Sequence, residues 1–441
     1  MTPNIKNTFR IMSNIKQKTG SSSDMYIVEN KSTGDEFFLK LAVKKTDQGE
    51  TPEYYFLFQN EKWVYNYLKK ELIGKYHSRN ILPIESYGNL NYEQWFEWVR
   101  DSPITRDLSD GQIDRNLLLI TEFMMEERDN HQPIDSNRSL KLLGVIQNID
   151  KFRYSYIMTP LIKGDYLNFG LLLGNLSSIQ EVCKYTCVLL FTIHQLLKVG
   201  VNHNDLHFGN ILVRNFQPCD FESKTYLLVT PENTFIVDLP YTLILFDFDR
   251  SVIKNKHNPY LEEYALYGNC PDFHPRRDIL KVICNLFRFI KWYIVDDVMK
   301  ADPSEMMNFL DYMLEQLISD EYIRERIRET TNCFLEMDDD LAIGCREEYL
   351  DRGVSSIGKA LGFFLRQANF KQVSTPDLIQ NNPVALELAT KKLSKNFSDR
   401  FTKTYPNLNR YVKANIQFTE LFKGRKTLVR NVRDFIAQSI Q

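Results

Sequence analysis

Apolar and polar positions alternate in the first part of the chain. Asp24-Met-Tyr-Ile-Val28 and Glu36-Phe-Phe-Leu-Lys-Leu-Ala-Val43 are short runs dense in aromatic and aliphatic residues. Asn30-Lys-Ser-Thr-Gly-Asp35 between them is turn chemistry, so the pattern predicts a β-hairpin. The period then lengthens. Thr51 offers an N-cap and Pro52 a first helical residue, and the helical stripe that follows closes at Gly74. Residues 89–152 mix charged positions with one apolar run, Leu117 to Met125, and read as an insertion. Tyr154-Ser-Tyr-Ile-Met-Thr-Pro160 reads as a strand that its proline bends.

From Ser177 the pattern turns helical. Ser177-Ser-Ile-Gln180 is a capping box, and Val182, Cys183, Thr186, Leu189, Leu190, Ile193, Leu196 and Leu197 recur at helical spacing until Gly200. Two β-like runs follow, Thr225 to Thr230 and Leu243 to Phe248, and beyond Asp278 the patterns are mostly helical. No internal repeat, low-complexity tract or Pro/Gly-rich linker interrupts them. One bilobal α+β unit is therefore expected rather than separate domains.

Composition bounds the picture. A chain of 441 residues, 43% hydrophobic and 25% charged, can bury a large core. Its formal net charge of −2 gives no general drive toward nucleic acid or anionic membrane, and no nucleic-acid partner is expected. The charge is uneven: from Lys391 to Gln441 twelve Lys/Arg stand against three Asp/Glu, a net of +9, which leaves −11 on residues 1–390. That basic segment reads as a solvated helical face or as a docking surface for an acidic partner. Seven cysteines form no C-x-x-C pair, and Cys183 and Cys187 suit packed free thiols. An odd, unpaired set predicts a reducing compartment, without a disulfide framework or zinc knuckle. The N-terminus lacks a signal-peptide core, and apolar windows such as Thr186 to Leu197 are too short to span a bilayer. An intracellular, cytoplasmic protein with no transmembrane segment is expected.

The chemistry concentrates in Val201-Asn-His-Asn-Asp-Leu-His-Phe-Gly-Asn210. Two histidines four residues apart suggest a metal pair, but the zincin form is H-E-x-x-H on a helix. Here Asn204 follows His203, the carboxylate arrives one place late at Asp205, and Asn204, Asp205 and Gly209 make a poor helix interior. Phosphoryl transfer needs a different set: a carboxylate for the hydroxyl proton, an amide oxygen and a second carboxylate for a divalent ion, and a lysine oriented by a buried glutamate. His203-Asn-Asp-Leu-His-Phe-Gly-Asn210 keeps the spacing of the protein-kinase catalytic loop, H-R-D-L-x-x-x-N, with Asp205 as base and Asn210 as metal ligand. Leu243-Ile-Leu-Phe-Asp-Phe-Asp249 is an apolar run ending in Asp-Phe-Asp, which places Asp247 as the second metal ligand, with Asp249 where D-F-G has glycine. Phe37-Phe-Leu-Lys40 resembles V-A-I-K, and strand alternation puts Phe38, Lys40 and Ala42 on one face. Leu41-Ala-Val-Lys44 is a rival match. Glu61 shares a helical face with Val64, Tyr65 and Leu68, and a carboxylate on an apolar stripe needs a cation, for which Lys40 is the natural partner. Lys18-Thr-Gly-Ser-Ser-Ser-Asp-Met-Tyr26 aligns with G-x-G-x-x-G-x-V but keeps only Gly20; Ser21, Ser22 and Ser23 offer N–H groups and hydroxyls to phosphate.

With these residues the chain resembles the eukaryotic-type protein kinase superfamily from about Lys18 to Phe289. The D-L-H-x-G-N loop is similar to haspin and to small-molecule kinases of the aminoglycoside and choline type. The irregular lobes and divergent glycine loop resemble kinases of large DNA viruses, for which host cytoplasm or the virion would be the location. The resemblance implies a bilobal protein-kinase-like fold of class α+β, with a β-rich N-lobe over residues 1–162 and a mainly helical C-lobe over 163–441. Insertions would fall at about 89–152 and 215–242, and a basic extension would begin near 391. It further implies a hinge at Met158-Thr159-Pro160-Leu161, whose backbone would hold adenine, and Asp165 near the ribose. Lys18, Gly20, Ser21, Ser22, Ser23 and Lys40 would line the phosphates. His203 would position the loop, His207 would stand where serine/threonine kinases carry a phosphate-steadying lysine, and Asp278 would anchor the loop from beneath. Phe38 departs from the small residue usual against adenine, and no A-P-E motif follows Asp247. The expected function is an ATP- and Mg²⁺-dependent serine/threonine kinase acting on a protein substrate. The alternatives are a small-molecule kinase and a non-catalytic scaffold of the same fold.

Overall fold

The computed structural model describes residues 5–14, 24–45, 53–73, 80–102, 152–162, 166–215, 225–265, 268–329, 345–376 and 415–418. The chain divides into two compact units, Met1–Trp63 with Pro83–Ile162, and Val64–Leu82 with Lys163–Gln441. The class is α+β: the first unit is built on an antiparallel sheet and the second is mainly helical among the described residues.

The sheet of the first unit runs β1 (Phe9–Asn14), β2 (Asp24–Asn30), β3 (Glu36–Lys45), β5 (Phe152–Pro160), β4 (Ser86–Asn91) in spatial order, with every neighbour antiparallel. The β2–β3 hairpin forms where turn chemistry interrupts the apolar runs. Asn30 Oδ1 accepts the Ser32 N–H at 2.9 Å, and Gly34 takes φ +73°, a left-handed value costly for a side chain. Alternation along β3 sorts its residues. Leu39 and Leu41 enter a core with Tyr26, Val28, Trp95, Trp98 and Tyr154, so Lys40 between them points to the other face. Trp95 and Trp98 come from a helix the sequence reading leaves inside an insertion, Tyr92–Arg100. Its capping box, with Asn91 accepting from the Gln94 N–H and Gln94 accepting from the Asn91 N–H, was the signal that could have found it. Trp98 is 1% exposed and donates its indole N–H to the Phe9 carbonyl at 2.9 Å, so one side chain both fills the core and ties down an edge strand. The remainder of that expected insertion, 103–151, lies outside the described residues.

The helix Glu53–Leu68 continues into a wider turn, Lys69–Ile73; Thr51, Pro52 and Gly74 lie outside the described residues. In the second unit the longest helix among the described residues is Ile179–Lys198, and its cap sits one residue later than the pattern suggests. Ser178 accepts the Glu181 N–H while the Glu181 carboxylate accepts from Ser177, because glutamate reaches back with a charge that Gln180 lacks. This helix packs against Ile357–Ala368 and lies beside Arg277–Val295.

Two features go beyond the sequence reading, the first adding to it and the second correcting it. The region beyond Asp278 is not helical throughout: β13 (Lys371–Ser374) and β14 (Asn415–Phe418) join β9 (Thr225–Val229) and β10 (Asn233–Asp238) in a four-stranded sheet ordered β13-β10-β9-β14. A four-residue strand has too little periodicity to stand out, and its partner lies far away in sequence. β14 falls inside the basic C-terminal segment, whose other residues are outside the described set. The second feature concerns sulfur. Cys270 and Cys345 form a disulfide with Cα atoms 5.4 Å apart, whereas Cys183, Cys187 and Cys284 are buried free thiols. A bridge across 75 residues leaves no spacing signal of the C-x-x-C kind. No helix among the described residues is long and apolar enough to cross a membrane.

Candidate active site

In the first unit Lys40 stands opposite Met25 in β2 and Ile157 in β5. From that face its Nζ reaches the Glu61 carboxylate at 2.8 Å, with the lysine side chain 18% and the glutamate 3% exposed. Glu61 projects from the helix Glu53–Leu68 among apolar neighbours, so the pair forms where two local periodicities meet. An ammonium and a carboxylate so far from water each need the other. Met158 is buried in β5 and its carbonyl accepts the Glu85 N–H at 2.8 Å. Thr159 pairs with Phe38, and the Leu161 N–H donates to Glu36 at 3.2 Å, so the strand runs on against β3 beyond the last β4 pairing at Met158. Lys18, Gly20, Ser21, Ser22, Ser23 and Asp165 lie outside the described residues.

In the second unit Val201–Asn210 carries little regular structure. Several of its backbone groups are satisfied from below by one face of the helix Arg277–Val295. Asp278 accepts from the His203 N–H at 2.8 Å, the Asn204 N–H at 3.0 Å and the Asn202 amide at 3.1 Å. One turn on, the Lys281 ammonium donates to the Asn204 carbonyl, and a turn beyond that Asn285 donates to the Leu206 carbonyl at 3.2 Å. Asp278, Lys281 and Asn285 are polar residues at i, i+3 and i+7 on a helix otherwise packed with Ile279, Val282, Ile283 and Leu286. That interruption of an apolar stripe is the sequence signal for Lys281 and Asn285, which the motif search misses.

The histidines part company. His203 is fully buried, donates Nε2–H to the Phe246 carbonyl at 2.9 Å and packs its ring 4.7 Å from Phe248. His207 is 43% exposed, with Nε2 3.9 Å from Asp205 Oδ2. Burial of one flank holds its pKa below the ordinary imidazole value, against the opposing pull of the Asp205 and Asp247 carboxylates. Gly209 makes room for that ring, since a Cβ there would come within 2.8 Å of it. Asp205 is buried too. Burial opposes its charge, but Lys281, Arg250 and His207 outweigh burial and hold its carboxyl below the usual carboxylate range.

Asn210 and Asp247 are brought together by a strand ladder. β8 (Ile211–Asn215) pairs antiparallel with β11 (Tyr241–Leu245), Leu245 standing opposite Ile211, and the Phe246 N–H extends the ladder to the Asn210 carbonyl at 3.2 Å. The Asn210 amide donates to the Asp205 carbonyl at 2.9 Å, which leaves Oδ1 as its acceptor atom. Asp247 leaves the strand with φ +63°, a left-handed conformation that aspartate tolerates better than most residues. Its N–H donates to the Tyr65 hydroxyl at 3.2 Å. The run to Phe248 therefore stops being strand at Leu245, two residues before the acidic group. An amide oxygen and a carboxylate are hard donors, and they suit Mg²⁺, which takes one or two protein oxygens and fills its other positions with phosphate and water. No group of three or more His, Cys, Asp or Glu gathers around a common point among the described residues.

Asn204 and Arg250 also belong to this region. Asn204 adopts φ +66° and its amide donates to the carbonyls of Arg250 and Cys270, both at 2.9 Å, while its Oδ1 accepts the Cys270 N–H at 3.2 Å. One side chain thus ties both ends of the segment after Asp247 to the loop that carries Asp205.

No family model matches the sequence, and no curated protein does. Among solved structures the chain is similar to WaaP in complex with acyl carrier protein, at 12% identity over 72% of this chain and 90% of that one, with a TM-score of 0.29.

Proposed function

We propose that this protein is a phosphotransferase that uses ATP and Mg²⁺ and phosphorylates serine or threonine of a protein substrate. The observation that carries the reading is the ladder that seats Asn210 beside Asp247, on the same loop as a buried, ionised Asp205. Support comes also from the Lys40–Glu61 pair, the arrangement a nucleotide-phosphate lysine requires. In the reaction the acceptor hydroxyl oxygen bonds to the γ-phosphorus as the bond from that phosphorus to the β–γ bridging oxygen breaks. ADP leaves with the electron pair, and the hydroxyl proton passes to the Asp205 carboxylate. Lys40 holds the phosphates in line, and Asn210 and Asp247 hold the metal. When bound, Mg²⁺ neutralises charge on the phosphate oxygens. The chain's own contribution is mainly positioning and fixed charge.

The test is transfer of labelled γ-phosphate from Mg·ATP into a mixture of protein acceptors and small metabolites, alongside Asp205→Asn. Label in protein serine or threonine, lowered about 10²- to 10⁴-fold in the variant, is the expected result. Label confined to small metabolites would move the assignment to a small-molecule kinase, the reading that His207 in the lysine position favours. No label, and no Mg·ATP-dependent rise in melting temperature that Asp247→Ala abolishes, would leave a scaffold.

A further inference from the structure

The catalytic loop carries no lysine between Asp205 and Asn210, so a cation for the migrating phosphoryl group must come from elsewhere. Two fixed cations bear on Asp205, and they are placed differently. Lys281 lies beneath the loop and spends its ammonium on the Asn204 carbonyl and on Asn269 Oδ1, the latter at 2.8 Å. Arg250 brings Nη1 to 3.4 Å from Asp205 Oδ2, its side chain 30% exposed. That carboxylate is the one hydrogen-bond partner of its side chain among the described residues, and a guanidinium has donors to spare. Two contacts hold it in place. The guanidinium carbon stacks 4.8 Å over the Tyr264 ring, and the Arg250 carbonyl accepts the Asn204 amide at 2.9 Å.

From this geometry we infer that Arg250 is a catalytic residue of this chain, the guanidinium that stabilises the migrating phosphoryl group in place of a loop lysine. The inference rests on the phosphotransferase reading. As the hydroxyl oxygen joins the γ-phosphorus and ADP departs, the three non-bridging oxygens carry the shared negative charge. A cation already touching the oxygen of the base is within reach of them, and its planar fork suits phosphoryl oxygens. Tyr264 and Asn204 fix its position before substrate arrives, so little reorganisation is needed at the moment of transfer.

The experiment measures phosphotransfer kinetics of Arg250→Gln, Arg250→Lys and Arg250→Ala in the full chain, with Mg·ATP thermal shift recorded in parallel. Arg250→Gln keeps a hydrogen-bonding polar end on a shorter side chain but removes the charge. It should lower kcat roughly 10²-fold with the KM for ATP and the thermal shift unchanged, the size expected for one lost charge-stabilising donor. Arg250→Lys should fall between wild type and Arg250→Gln, and dilute guanidinium should restore part of the rate of Arg250→Ala. Unchanged kcat in Arg250→Gln, or equal kcat in the Lys and Gln variants, overturns the inference while leaving the phosphotransferase reading intact. Falling kcat together with a lost thermal shift and no guanidinium rescue makes Arg250 a brace and also overturns it. A wild type that transfers no phosphate removes both. Should Arg250→Ala fail to fold, the order of wild type, Lys and Gln decides alone.

Discussion

The Lys40–Glu61 pair and the Val201–Asn210 loop are positioned by opposite means. Lys40 sits in a ten-residue strand paired on both sides, so the ladder sets its backbone and a single ion pair to Glu61 orients its side chain. The loop has a ladder only at its first two residues, Val201–Asn202, which pair with Val252–Ile253. Beyond that pair, several of its backbone groups are met by polar side chains: Asp278 accepts from two loop N–H groups, and Asn285 and Lys281 donate to carbonyls. Regular structure can lend rigidity to a functional side chain at almost no polar cost. An irregular loop in the interior obtains the same rigidity only by burying its own partners, because an unpaired backbone group there costs about as much as a lost hydrogen bond. The loop should therefore be the brittle half and the ion pair the replaceable half.

Asp278→Ala is the severest way to break that contrast. It removes the acceptor of two backbone N–H groups and the Asn202 amide in a fully buried site, so a loss on the order of 3–5 kcal/mol in stability is expected, with activity gone; chemical denaturation reads it directly. Next comes Cys270→Ser with Cys345→Ser, or reduction of the wild type. Freeing a 75-residue connection should cost about 2–4 kcal/mol and loosen the end of the segment that Asn204 holds. Glu61→Gln should act on the other half. The kcat/KM for Mg·ATP should fall roughly 10- to 100-fold as a charge-assisted contact is lost, with a melting temperature well above that of Asp278→Ala. Equal melting points for these two variants would dissolve the distinction. The smallest effect concerns pH. Asp205 is held ionised against burial by Lys281 first and Arg250 second, so Lys281→Met should raise its pKa. The contribution of the charged carboxylate, present above its unfolded pKa and lost as pH falls through the folded one, would then disappear at higher pH. The acidic limb of the kcat–pH profile should move upward; a limb that stays put would count against Lys281 as the source of that charge.

The same contrast governs what could be read from the residues alone. Lys40 and Glu61 were visible because each rests on a local period, two in a strand and 3.6 in a helix, and they lie 2.8 Å apart. Asp205, Asn210 and Asp247 were visible through spacing within short motifs, and the β8–β11 ladder explains why a motif at 203–210 and another at 247 meet. What stayed hidden depends on chain reversal. Arg250 shows no chemistry until the segment after Asp247 turns back under Asn204, and the β9–β10 sheet recruits strands from beyond residue 370. Tyr92–Arg100 was hidden differently: its Trp95 and Trp98 stripe is clear, but only two turns long beside uninformative neighbours. Met158, Thr159 and Leu161, expected from the resemblance to form a hinge, show how far a strand pattern goes. It gives β5, but which carbonyls remain open depends on β4, and the Met158 carbonyl is already taken by Glu85.

The Cys270–Cys345 bond also makes a covalent ring of the chain between them, and the helices Arg277–Val295, Pro303–Leu317 and Glu321–Glu329 are carried on that ring. A protease that cuts the backbone once inside the ring opens a loop without releasing either fragment. The nicked protein should migrate as one species until a reductant is added and as two afterwards. Asp278, Lys281 and Asn285 would stay attached whichever side of the cut they fall on, so the floor beneath the loop could survive a break in the chain that forms it.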